Sequence, residues 1–150
     1  TAYGLPQKWD RFSWQDVSRV EAKTKGSTQF ADSLVTCTWA TRHNIPVLTE
    51  ALNAATGWDL SFDEALKVGR RAINIMRLFN IKAGHTPDMD KPMPRYGSTP
   101  VDGPVKGISV EPHWEDMVSN YYHLMGWDRK TGSPLPETLS ELGLEHLLKD

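Results

Sequence analysis

Leu60-Ser61-Phe62-Asp63-Glu64-Ala65-Leu66-Lys67-Val68-Gly69-Arg70-Arg71-Ala72-Ile73-Asn74-Ile75-Met76-Arg77-Leu78-Phe79-Asn80-Ile81-Lys82-Ala83 is the stretch that sets the fold class. Ser61 followed by Glu64 is a capping box, and Asp63 with Glu64 complements the positive end of a helix. Phe62, Ala65, Leu66, Gly69, Ala72, Ile73, Met76 and Phe79 recur at helical spacing. Val68, Ile75 and Leu78 widen that stripe, which predicts a central helix to about Ala83, buried over much of its girth. Gly69 would let a neighbouring helix approach closely. Arg70, Arg71, Asn74 and Arg77 fall on the more polar side, where a solvated face with ion pairs is at least as good a reading as an anion site. Gly84 ends the helix.

The flanks extend the helical pattern. Residues 1–12 show no period and read as an extended arm, with Tyr3, Trp9 and Phe12 available to pack on another surface. Ser13 is an N-cap candidate with Asp16 as a weaker partner, and the apolar positions that follow predict helix to about Leu34. Gly26-Ser27-Thr28 weakens its middle, so two shorter helices fit equally. Thr38 to Asn44 reads as a polar turn. Pro46 suits a first helical turn and Gly57 a stop. Residues 85–112 form a long Pro/Gly-rich loop in which Val105 to Val110 could be a short extended piece. A loop of that length in a compact domain is usually functional or lies against a partner. Trp114 to Met125 restores the helical period, and Pro136 opens a last helix with Leu139, Leu142 and Leu147. The expected fold is all-α, with about five helices in a single helical domain, 1–150.

Composition bounds the function. A chain of 150 residues suits one domain with a sizeable core. A net charge of −2 predicts no strong pull toward nucleic acid or anionic lipid. No apolar run approaches membrane-spanning length, and one cysteine cannot form an internal disulfide, so a cytoplasmic setting is the default. Six tryptophans favour a well-packed interior or a large buried interface. The chain opens at Thr1 rather than Met, as a processed protein or a piece of a longer one would.

Chemistry-bearing motifs are few. There is no glycine-rich phosphate loop, paired-cysteine zinc spacing or His-Glu-x-x-His helix. The histidines His43, His85, His113, His123 and His146 are scattered and read as surface residues. Cys37 falls at a helix end or in a short turn, where a thiolate near backbone N–H groups can ligate a metal. A lone cysteine beside Leu34, Val35 and Trp39 is more often a small buried hydrophobe.

A resemblance sharpens this reading. Asn53-Ala54-Ala55-Thr56-Gly57-Trp58-Asp59-Leu60-Ser61 resembles the N-A-x-T-G-W-D-x-[ST] run of the tungsten-containing aldehyde ferredoxin oxidoreductase family. Gly69-Arg70-Arg71, Asn74 to Asn80 and Lys82-Ala83-Gly84 are similar to its G-x-R…N-x-x-R-x-F-N-x-[RK]-x-G pattern. Tyr121-Tyr122-His123-Leu124-Met125-Gly126-Trp127-Asp128 resembles its Y-Y-x-x-R-G-W-D, with Met125 in place of the arginine. Leu142-Gly143-Leu144 resembles its L-G-L close. Asp32-Ser33-Leu34-Val35-Thr36-Cys37 aligns with its D-x-x-G-L-C motif, with Val35 and Thr36 standing where the family has Gly and Leu. A β-branched residue resists the positive φ that glycine allows.

The resemblance implies the C-terminal helical part of a larger enzyme that oxidises aldehydes to carboxylates and passes electrons to ferredoxin. It implies a tungstopterin (or molybdopterin) and a [4Fe–4S] cluster in the full-length enzyme. Cys37 is the implied cluster ligand, and Asp32, Thr36 and Thr38 are the implied cofactor-binding residues. Three further cluster cysteines would come from upstream domains or another chain. No catalytic residue is implied here. Two alternatives stand beside this: a relative acting on another substrate, such as an aromatic-acid thioester, and a cofactor-less helical binding module of the same fold. In isolation the surface that meets the rest of an enzyme would be exposed, and homo-oligomerisation would be one way to cover it.

Overall fold

A computed structural model describes residues 3–41 and 44–149. Eight α-helices lie among them: α1 (Trp14–Thr24), α2 (Ser27–Ser33), α3 (Thr38–Thr41), α4 (Ile45–Thr56), α5 (Phe62–Lys82), α6 (Pro94–Gly97), α7 (Trp114–Leu124) and α8 (Pro136–Glu141). Short 3-10 turns sit at Pro87–Asp90, Glu111–His113 and Glu145–Lys149. No strand occurs among the described residues; one isolated bridge pairs Trp127 with Pro134. The all-α expectation holds. The predicted first helix is two, because Gly26 takes φ +101° between α1 and α2. The predicted polar turn after Cys37 is partly helical, as α3. His43 lies outside the described residues.

Local chemistry starts and stops the helices as the sequence leads one to expect. Ser13 accepts from the Asp16 N–H at the head of α1. The capping box of α5 is complete: the Ser61 hydroxyl accepts from Glu64 N, and Glu64 Oε2 accepts from Ser61 N at 2.8 Å. Between α4 and α5, the Asn53 amide holds Leu60 from both sides, donating to its carbonyl at 2.8 Å and accepting from its N–H at 2.9 Å. That clamp closes the Gly57-Trp58-Asp59 turn.

Helix α5 feeds all three parts of the core. Ala65 packs with Phe30, Ala31, Ile45 and Leu48 of α2 and α4. Ile73 packs with Ala22, Tyr122, Met125 and Trp127. Leu78 packs against Leu139, Leu142 and Leu144 at the C-terminal end. The arm reaches this core through Tyr3, whose ring meets Phe62 edge-on at 5.1 Å. Trp9 and Phe12 stay about half exposed.

The polarity of α5 differs from the sequence reading. Asn74 is 1% and Arg77 8% exposed, whereas Ile75, Met76 and Phe79 are 46%, 55% and 70% exposed. Asn74 and Arg77 are not on a solvated face; partners some 50 residues away enclose them. The tryptophans divide likewise: Trp127 is buried, but Trp39 and Trp58 lie largely in solvent. Val105 to Val110 does not form a strand: residues 104–107 make a turn in which Gly103 and Gly107 adopt positive φ and Gly107 N bonds to the Pro100 carbonyl.

The crossing of α2 and α5 depends on Gly69. A Cβ added there would lie 1.8 Å from the Gly26 carbonyl oxygen, a backbone atom that cannot swing aside. Gly69→Ala is therefore expected to destabilise the fold by about 3 kcal/mol, measurable as a lower urea midpoint at unchanged slope. An unchanged midpoint would contradict the close-approach account.

Candidate functional site

The turn from Asp32 to Cys37 is built from the end of α2. Val35 N bonds to the Asp32 carbonyl at 2.9 Å and Thr36 N to the Ala31 carbonyl at 3.3 Å. This pairing, with a left-handed residue between the helix end and the next residue, is the Schellman closure, which glycine usually occupies. Here Val35 holds it at φ +56°, the one non-glycine residue with positive φ among those described. The Val35 side chain is 93% exposed, so no packing adds to that local backbone strain. Thr36 reinforces the turn, its hydroxyl donating to the Ala31 carbonyl at 3.0 Å.

This turn points its chemistry outward. Cys37 is a free, exposed thiol immediately before α3, its carbonyl accepting from Ala40 and Thr41 N–H groups. The buried-hydrophobe alternative for Cys37 is thereby overturned. Asp32 is exposed, and its carboxylate has no partner among the described residues. Thr38 opens α3. Trp39 follows at 90% exposure. Asp32 and Cys37 therefore share one solvent-facing turn, and no described residue engages either side chain. The donor set suits one anchoring carboxylate and one thiolate ligand; among the described residues no group of three or more His, Cys, Asp or Glu could hold a metal alone.

A second polar cluster lies inside the fold. Arg77 Nε donates to the Gly132 carbonyl at 2.9 Å, and its Nη atoms reach Asp90 at 2.9 and 3.3 Å and the Tyr122 hydroxyl at 3.0 Å. His85 Nε2 lies 3.1 Å from Arg77 and 3.0 Å from Asp90. The Tyr122 hydroxyl donates to Asp90 in turn. Trp127 donates its indole N–H to Asn74 Oδ1 at 2.8 Å. Gly132 is required here, since a Cβ would fall 2.1 Å from Arg77 Nη2. His85 is thus not a surface histidine. Burial pushes Tyr122 up to about 12, assisted by its bond to Asp90. Burial alone would raise Asp90, but the hydrogen bonds and charge of Arg77, with the Tyr122 hydroxyl, outweigh it and hold that carboxyl below its usual value. Every member of this cluster is engaged by another, so it ties the structure together. Sequence spacing missed it because its members come from four separate segments.

Comparison with known proteins follows this geometry. Residues 1–144 match the family described as "Aldehyde ferredoxin oxidoreductase, domains 2 & 3". The tungsten-containing aldehyde ferredoxin oxidoreductase of Pyrococcus horikoshii is 44% identical over 102 residues, covering 67% of this chain and 16% of that protein. The enzyme of the same name from Thermococcus kodakarensis is 42% identical over 101 residues, 66% of this chain and 16% of its own length. The aliphatic sulfonate oxidoreductase, WOR-like subunit, of Pyrococcus furiosus is 32% identical over 126 residues, 77% of this chain and 19% of that protein. The all-α fold and the matched sequence define a helical domain of an oxidoreductase class. The chain belongs to the aldehyde ferredoxin oxidoreductase family. It spans about one sixth of the length of the relatives it matches.

Two outcomes test these two regions. Val35→Gly is expected to raise stability by about 1 kcal/mol, because the left-handed cost to a β-branched side chain exceeds the extra entropy of glycine in the unfolded chain; a lower thermal midpoint would refute the strain. Asp90→Asn is expected to cost about 2 kcal/mol at neutral pH by leaving Arg77 short of its counter-charge. The folded carboxyl of Asp90 titrates below the ordinary aspartate value, so its stabilisation is present above about pH 4 and lost as pH falls through the folded value. Urea titrations across that range should show a shallower acid loss in the variant.

Proposed function

We propose that this chain is the C-terminal helical part of a tungsten-pterin oxidoreductase, with molybdenum as the alternative metal. Cys37 ligates one iron of a [4Fe–4S] cluster, and Asp32 accepts hydrogen bonds from the ring edge of the pterin, with Thr36 and Thr38 beside it. The observation that carries this reading is the exposed turn on which a free thiol stands with a carboxylate that has no partner among the described residues, in a chain of this family. A cubane needs four thiolates, so upstream domains or another chain supply three.

The pterin-bound metal would supply the two-electron oxidation of an aldehyde to a carboxylate, with the electrons leaving through the cluster to a ferredoxin-like carrier. This chain's contribution is to bind and orient. Asp32 fixes the pterin edge, and Cys37 fixes the cluster beside it. Helix α5 holds the turn in place through the tight contact of Gly69 with Gly26. No helix among the described residues is long and apolar enough to cross a membrane. The sulfonate-oxidoreductase relative favours a second reading, in which the same domain serves an enzyme acting on a different substrate. Substrate choice then lies around the metal, in residues outside this chain.

The test uses the full-length protein, purified anaerobically, with iron and tungsten measured against protein mass. Cys37→Ala is expected to lower bound iron and to abolish electron transfer to the carrier, with the helical fold intact by circular dichroism. Asp32→Asn is expected to lower pterin retention. A metal-free wild-type species, or Cys37→Ala with its full iron content, would turn the reading toward a cofactor-less module.

A further inference from the structure

Beyond the exposed turn, the fold contains a cleft of about 450 Å³ between α1, α5 and α7. Its size falls in the range of small-molecule sites. Val17 of α1, Ile73 and Met76 of α5, and Met117 and Val118 of α7 form its apolar walls. Trp114, Tyr121 and Trp127 add aromatic surface, with Tyr121 and Trp127 meeting edge-to-face at 5.8 Å.

The charges that reach the cleft are already matched. At its floor Arg77 pairs with Asp90 at 2.9 Å. At its mouth Lys25 pairs with Glu21 at 2.9 Å. A charged ligand would lose its hydration without finding a free counter-charge, which is costly. Of the neutral polar groups in the lining, Ser18, Tyr122 and the Trp127 indole are engaged within the fold. No described residue engages the exposed Asn80 amide, the Trp114 indole N–H or the Tyr121 hydroxyl, and of these three Tyr121 is the one set against the Trp127 ring. The Tyr121 hydroxyl makes no hydrogen bond to another described residue. Burial raises its pKa far above the ordinary phenol value, so it stays protonated and can donate.

We infer that this cleft is a binding site for a small uncharged molecule with an apolar, ring-sized body and a single hydrogen-bonding oxygen, held against Tyr121 and Trp127 with that oxygen on the Tyr121 hydroxyl. The site is separate from the Asp32–Cys37 turn, none of whose residues line it. The inference stands or falls independently of the redox reading.

The experiment is ligand-observed fluorine NMR on the full-length protein with para-fluoroacetophenone, para-fluorobenzoate and para-fluorobenzylammonium at equal millimolar concentrations. The neutral ketone is expected to broaden and the two ions to remain sharp. Tyr121→Phe should weaken ketone binding by about three- to ten-fold, the range of one hydrogen bond. Val118→Trp fills the cleft and should abolish binding. Should that variant melt early, Met76→Trp fills the same cleft from a rim position already 55% exposed. No broadening of the ketone, equal broadening of the ions, or undiminished binding in a folded filling variant would each overturn the inference.

Discussion

One buried guanidinium conditions the rest of the structure. Arg77 carries five N–H donors and cannot discharge, so enclosing it is favourable only when acceptors meet it from several sides. They come from the 85–90 segment, from Tyr122 on α7 and from the Gly132 carbonyl in the turn after it. Each acceptor belongs to a segment with little regular structure of its own or to a helix that must dock at a fixed height. Pairing Arg77 therefore sets the position of α7 on α5 and draws the start of the long loop against the helix. The rings of Tyr122 and Trp127 add cation–π contact, at 5.2 and 5.0 Å from the guanidinium carbon.

The sequence could be read correctly wherever the governing interaction was local. The capping box at Ser61 and Glu64, the Gly57 stop and the proline start of α4 involve residues within one turn of each other, and each appears as expected. Gly69 was readable because a small residue in an apolar stripe has few other uses. The orientation of α5 was not. Its apolar and polar stripes are both wide, and periodicity ranks faces by hydrophobicity, without regard to distant hydrogen bonds. Asn74 is buried because Trp127, 53 positions later, needs an acceptor for its indole N–H. Nothing within the helix announces that partner. Once Asn74 and Arg77 turn inward, geometry forces Ile75, Met76 and Phe79 toward the surface.

The exposed turn follows a different logic. A Schellman closure demands a left-handed residue, and Val35 meets that demand against its own preference. The backbone bonds from Val35 and Thr36 and the Thr36 hydroxyl together outweigh strain on the order of 1–2 kcal/mol. Val35 thus takes the left-handed conformation a glycine would take, with Asp32 and Cys37 both exposed. The substitution that most threatened the resemblance turns out to be a stability matter.

This division bears on what the family match can mean. Asn53, Asn74, Arg77, Tyr122 and Trp127 all lie in the motif stretches, and all are used up in holding the fold: a loop clamp, an indole acceptor, a guanidinium cage. They would persist in any protein that keeps this architecture, with or without a cofactor. Asp32 and Cys37 stand together on one exposed turn, and among the described residues neither side chain has a partner. A carboxylate and a thiol that no described residue engages add no side-chain contact to that turn, which is the physical reason to weigh it above the longer and more extensive matches when asking what the domain does.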